Sequence, residues 1–173
     1  MKACITGGIA CGKSLFSSML NSLGVRTVDA DDIVHSLIPE EERRRLAKTV
    51  FKDEAARKAL EKRIHPRVRR RIDEELAADP SAVAVVPLLF EVKWDAEYDI
   101  ICAVVSSREN QLDRMMKNRG MSRDEAEARL AAQMDAREKA ARSHYVIEND
   151  GTADDLRREA EKFVSWLRSK RNV

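Results

Sequence analysis

Between a short apolar run, Lys2-Ala3-Cys4-Ile5-Thr6, and a helical pattern of Leu15, Phe16, Met19, Leu20 and Leu23 lies Gly7-Gly8-Ile9-Ala10-Cys11-Gly12-Lys13-Ser14. Gly, four residues, then Gly-Lys-Ser is a spacing with a physical reason at each position. The glycines let the chain curl so that successive amides point into one concavity, and the helix that follows adds the positive end of its dipole. A lysine at the seventh place reaches the outer phosphates of a nucleotide, and the serine hydroxyl after it completes a magnesium shell. An apolar strand before the loop and a helix after it, closed by Gly24, supply the context the motif requires. A binding loop for ATP or GTP follows.

At 173 residues and 43% hydrophobic, the chain is expected to build one core and a small appended subdomain. The net charge of +2 gives no global signal for nucleic acid. Charge is uneven, however: Arg43 to Glu75 holds 13 Lys/Arg against 6 Asp/Glu, an excess of +7 suited to a polyphosphate ligand or a solvated helix face. No aromatic residue interleaves Arg67, Arg70 and Arg71 for base stacking, which argues against nucleic acid there. Three cysteines lack metal-ligand spacing, and two of them, Cys4 and Cys102, lie in apolar runs. A reduced, cytoplasmic protein is expected, with no run long enough to span a bilayer.

Further strands are expected at Val25 to Val28, Ala82 to Val86, Tyr98 to Val105 and Tyr145 to Ile147, each short, apolar and separated by helical sequence. This pattern predicts an α/β fold: a five-stranded parallel sheet of the P-loop NTPase type with helices on both faces, plus a helical insertion and a helical lid. The core is expected to comprise 1–31, 80–106 and 143–173, the insertion 32–79 and the lid 107–142. Within the insertion, Leu60 and Ile64 form an apolar stripe that Val68, Ile72 and Leu76 resume after a break at Pro66, with His65 extended at the break. The lid is expected as a hairpin from Ser107 to Arg142 split at Gly120-Met121-Ser122, where Ser122 and Glu125 form a capping box. The last helix packs through Leu156, Phe163, Val164 and Leu167.

Asp29-Ala30-Asp31-Asp32 follows the second strand at its C-terminal end, where open parallel sheets place ligands. One carboxylate there can accept the proton of a substrate hydroxyl and another can order magnesium or its waters; Asp31 is expected to be functional and Asp32 the helix cap. Cys11, near Lys13 and a helix N-terminus, is expected either to favour the thiolate, so that oxidation blocks the loop, or to be an inert small residue.

Several segments occur in order: Thr6-Gly7-Gly8-Ile9, Asp29-Ala30-Asp31, Val50-Phe51, His65-Pro66 with Val68, Pro87-Leu88-Leu89-Phe90-Glu91, Gln111 with Arg114, Arg129 with Gln133, and Ile147 with Asn149 and Gly151. Through them the chain resembles the dephospho-coenzyme A kinases over almost its whole length. The resemblance implies ATP-dependent phosphorylation of the ribose 3′-hydroxyl of dephospho-coenzyme A, the last step of coenzyme A synthesis, with Mg2+ held at Ser14. It implies nucleotide contacts at Gly8, Ile9, Ala10, Cys11, Gly12, Lys13, Ser14 and Leu15, with Asn149 near the adenine. Catalysis falls to Lys13, Asp31 and the lid arginines Arg114 and Arg119; acceptor binding falls to Asp29, Asp31, His65, Pro87, Leu88, Leu89 and Glu91.

Three features depart from the family pattern. Ala10 and Cys11 stand where Gly and Ser are usual, Asn118 stands at the place of a lid arginine with Arg119 beside it, and the stretch from Ile38 to Arg43 is abbreviated. The rival functions are another small-molecule kinase, of nucleosides or nucleotides, and a nucleotide-binding module without transferase activity. A monomer or small homo-oligomer is expected.

Overall fold

Alternate residues of the first apolar run face opposite ways. Ala3 and Ile5 enter one hydrophobic cluster and Cys4 another, and all three are fully buried. The same period of two recurs where Val83 and Val85 oppose Ala84, and where Ile100, Cys102 and Val104 oppose Ile101. A sheet whose strands are buried on both faces must be covered by helices on both, as parallel sheets are.

The computed structural model describes residues 1–38 and 54–171. Strands β1 (Ala3–Gly7), β2 (Thr27–Asp29), β3 (Val83–Val85), β4 (Ile100–Val105) and β5 (Tyr145–Glu148) form one parallel sheet in the order β2-β3-β1-β4-β5. Each expected strand is present, with ends moved by one or two residues. The helices are α1 (Lys13–Ser22), α2 (Ala30–Leu37), α3 (Glu54–Ala78), α4 (Arg108–Arg119), α5 (Arg123–Ala131), α6 (Ala136–Ala141) and α7 (Ala153–Arg171), with a 3-10 turn at Asp95–Glu97. On one face Phe16 of α1 packs with Phe163 of α7, and Tyr145 and Trp166 complete an aromatic group. Leu156, Phe163, Val164 and Leu167 are all buried, as their spacing predicts. On the other face α2 and α3 cover the sheet through Ile33, Ile64, Val68, Ile72 and Leu76.

Three local expectations are corrected. Helix α3 runs unbroken through Pro66, so His65 is helical and not extended. An interior proline costs ~3 kcal/mol. Ile64, Val68, Ile72 and Leu76, each at most 6% exposed, form one stripe across it, and each contributes about 1.5–3 kcal/mol by burial, so packing wins. The lid is three helices where a hairpin was expected: Ser122 and Glu125 make the capping box and Gly120 ends α4 at φ +62, but the second arm breaks again after Ala131. Asp135 restarts it by capping α6, its carboxylate accepting from the Arg137 amide. Helix α2 is capped by Asp29, whose Oδ1 accepts from the Asp31 amide at 2.8 Å, and not by Asp32. Val50-Phe51 and the shortened stretch after Ile38 lie outside the described residues.

Part of the basic insertion is neutralised on the surface. Arg71 pairs with Glu74 and Glu75, Arg26 also reaches Glu75, and Arg69 pairs with Glu97. Among the described residues, no helix is long and apolar enough to cross a membrane.

Candidate active site

Strand β1 sits between β3 and β4, so the loop after it emerges where connections leave the sheet in opposite directions. Open α/β sheets bind ligands at that crevice. Two glycines fix the path. A Cβ on Gly7 would lie 2.1 Å from the Val104 carbonyl oxygen of the neighbouring strand. At Gly12 φ is +91, and a Cβ would lie 2.1 Å from Nδ2 of Asn149. Ala10 also takes a positive φ, +58. Alanine pays roughly 1–2 kcal/mol for that conformation, where glycine would pay almost nothing.

The loop is pinned by its surroundings. The Ile9 amide donates to Oε1 of Gln133 at 3.1 Å, and its carbonyl accepts from Nε2 of Gln111 at 2.7 Å. Asn149 Nδ2 donates to the Cys11 carbonyl at 2.9 Å. Arg114 donates to the Asn149 carbonyl at 2.6 Å, to Ser106 Oγ at 2.8 Å and to the Ala10 carbonyl at 3.3 Å. In this arrangement Arg114 staples the loop to the ends of β4 and β5.

A cleft of about 640 Å³ opens beside the loop. Ile9, Ala10, Gly12, Lys13, Ser14 and Leu15 form its floor. Asn149, Arg114, Asn118 and Arg119 line one side, and Asp29, Asp31 and Pro87 the other. The cleft thus joins the expected nucleotide, lid and acceptor residues in one volume of the size small-molecule sites have. Its oxygen donors, Ser14 Oγ with the Asp29 and Asp31 carboxylates, suit a hard cation such as Mg2+. Among the described residues no cluster of three His, Cys, Asp or Glu could hold a metal by itself, so such an ion would take most of its ligands from phosphate and water.

Other expected residues lie elsewhere. Gly8 faces a second cavity of about 440 Å³ behind the loop. His65 stands on α3 with its ring edge-on to Trp94, centroids 5.5 Å apart, over a third cavity. Leu88 is 41% exposed outside the cleft, Leu89 is fully buried in the core, and Glu91 is engaged by Lys139. Cys11 lies under the loop at 0% exposure. Burial pushes its thiol pKa up against the opposing pull of Lys13 and Arg114, which favours the inert small residue of the two expected alternatives over the thiolate.

Lys139 is the functional candidate that sequence reasoning missed. It is fully buried, which lysine almost never is without partners. Its Nζ donates to Glu91 and, at 2.8 Å, to the Pro87 carbonyl. A lone lysine in a charge-rich stretch ordinarily points to solvent, so the sequence carried no signal for it.

Lys13 Nζ donates to the Gly7 and Gly8 carbonyls at 2.8 and 2.7 Å. Burial pushes its pKa down to about 8; the Lys139 charge acts the same way, and the Asp31 and Asp29 carboxylates oppose it. Between about 8 and the ordinary 10.5 the unfolded chain holds a proton that the folded one lacks, so this group's contribution to stability rises with pH across that window. A bound polyphosphate favours the ammonium form. Nucleotide binding is therefore expected to take up most of one proton at about pH 9 and almost none at about pH 6.5. Calorimetry in buffers of different ionisation enthalpy measures this directly; equal uptake at both values would contradict it.

The sequence profile of the dephospho-CoA kinase family matches residues 1–43 and 40–155. The chain belongs to the dephospho-CoA kinase family. A dephospho-CoA kinase from Anaeromyxobacter dehalogenans is 36% identical over 194 aligned positions, covering 96% of this chain and 92% of the relative. The solved dephospho-CoA kinase from Campylobacter jejuni superposes with a TM-score of 0.73 at 30% identity, each chain covered completely. A shikimate kinase from Acinetobacter baumannii shares the fold, with a TM-score of 0.62 at 17% identity over 98% of this chain and 93% of its own. The two matched segments of the dephospho-CoA kinase profile meet at residues 40–43, within the stretch whose sequence is abbreviated.

Proposed function

We propose that this dephospho-CoA kinase family member transfers the γ-phosphoryl group of ATP to the ribose 3′-hydroxyl of dephospho-CoA, giving CoA and ADP. The observation that carries the reading is the shared cleft: Lys13 and the phosphate loop lie on its floor, and Asp31 and Pro87 face them from the ends of β2 and β3. Phosphoryl transfer has a loose transition state, so alignment and charge stabilisation carry most of the catalysis. Lys13 leaves the Gly7 and Gly8 carbonyls to meet the β- and γ-phosphate oxygens. Asp31, exposed at the start of α2, orients the 3′-hydroxyl and accepts its proton. Asp29, tied to the α2 N-terminus, acts as the support that fixes Asp31. Arg119 lines the cleft and has no ion-pair partner among the described residues, which suits it to the charge on the transferring group. Ser14 would hold Mg2+, which when bound neutralises charge on the phosphate oxygens. In this reading the enzyme works in the cytoplasm as a monomer or small homo-oligomer.

Coupled ADP release with Mg-ATP and dephospho-CoA, followed by mass spectrometry, tests the assignment. Product carrying one added phosphate at the 3′ position is the expected result. Nucleotide binding without product, or faster turnover with a nucleoside acceptor, would overturn it.

A further inference from the structure

A continuous polar chain joins the acceptor side of the cleft to the phosphate loop. Pro87 lines the cleft, and its carbonyl accepts from Lys139 Nζ at 2.8 Å and from Thr6 Oγ1 at 3.2 Å. Lys139 Nζ lies 2.8 Å from Oε1 of Glu91, and the same oxygen accepts from the Met134 amide at 3.1 Å. The preceding residue, Gln133, accepts from the Ile9 amide of the loop. Helix α6 holds the other end of the same turn as well. Arg142, three residues after Lys139, places its guanidinium 4.4 Å over the Phe90 ring and pairs with Asp95 at 3.1 Å.

We propose that Lys139 and Glu91 are positioning residues that couple acceptor binding at the Pro87 turn to nucleotide binding at the phosphate loop. The inference rests on the dephospho-CoA reading of the cleft. Its physical content is geometric. One buried ammonium is shared between the Pro87 carbonyl and the Glu91 carboxylate, so the turn cannot shift without moving α6. Residues 133 and 134 are the connection by which α6 meets both Glu91 and Ile9, so a shift of α6 is felt at the Ile9 peptide. A substrate that draws Pro87 into one position thereby favours one position of the loop. Linkage then requires the nucleotide to tighten acceptor binding by the same factor.

Spatial continuity alone does not establish coupling, so the test measures the coupling factor itself. The affinity of the β,γ-imido analogue of ATP is measured by calorimetry with and without saturating dephospho-CoA. This is done for the wild type, Lys139→Met and Glu91→Gln, with thermal melts alongside. In the wild type the acceptor is expected to tighten analogue binding by about fivefold or more. In both variants that factor falls to about one, while each ligand alone still binds.

Phe163→Leu, on the opposite face of the sheet, is the control for instability: it lowers the melting temperature and keeps the factor. Glu91→Gln preserves shape at a partly exposed position, so it decides the matter if Lys139→Met does not fold. A wild-type factor near one, or an undiminished factor in folded Glu91→Gln, would overturn the proposal. Wild-type protein that binds the analogue but no dephospho-CoA would instead defeat the acceptor assignment, and the coupling with it.

Discussion

Lys13→Ala is expected to slow single-turnover phosphoryl transfer by about 10³- to 10⁵-fold, the range for a cation placed on the transferring group. Asp31→Asn is expected to cost less, inside the about 10²- to 10⁴-fold range of a general base. The ordering follows from the loose transition state, in which the acceptor proton leaves late and the charge on the phosphoryl oxygens dominates. Geometry adds to it. Lys13 approaches from the loop floor with its charge already partly stripped of water, whereas Asp31 stands exposed at the head of α2. An ammonium in a dry site acts more strongly on a phosphate than the same group in water. Rapid-quench assays of the two variants in parallel decide the point; a slower Asp31→Asn would show that proton removal, and not charge, limits the step.

Gly7→Ala should be among the most damaging methyl additions in the chain. The new Cβ would meet the Val104 carbonyl at 2.1 Å, and that carbonyl belongs to the backbone of the adjacent central strand. No rotamer can relieve the contact, so β1 and β4 must part or the loop must leave its place. A loss of about 4 kcal/mol is expected, which for a chain of this size lowers the melting temperature by about 8–16 °C. Gly24→Ala is the informative comparison. Its φ is +79, yet an added Cβ meets nothing within 4 Å, so only the backbone conformation is penalised, by about 1–2 kcal/mol. Equal melting shifts in the two variants would mean that the strand contact at Gly7 costs nothing beyond its dihedral angle.

Much of this was legible in the residues because local chemistry and tertiary structure agree. The loop from Gly7 to Ser14 announces strand, turn and helix together, and the apolar runs announce a sheet covered on both faces. Legibility failed where long-range packing overrode a local rule. Pro66 predicts a break, but the stripe from Ile64 to Leu76 spans it. Asp29 ends a strand and was assigned to ligands, yet in the fold its carboxylate also caps the next helix. Cys11 has the neighbours of a reactive thiol, but complete burial reverses their effect. Lys139 was invisible for a different reason. Its partners, Pro87 and Glu91, are distant in sequence, and only the parallel arrangement of β1, β3 and β4 brings α6 to them.

The strand order also has a consequence for how the chain is born. Cys4 pairs with Ala84 on one side and with Ile101 on the other, so β1 leaves the ribosome well before either of its two neighbours. Such non-local pairing is slow and leaves unpaired edges exposed meanwhile. The segment that would cradle the phosphates is synthesised before either neighbour of β1, and the last of its supports, the Asn149 side chain on the Cys11 carbonyl, emerges later than β4 itself. A nascent chain arrested before that point would carry the complete binding motif and no binding site.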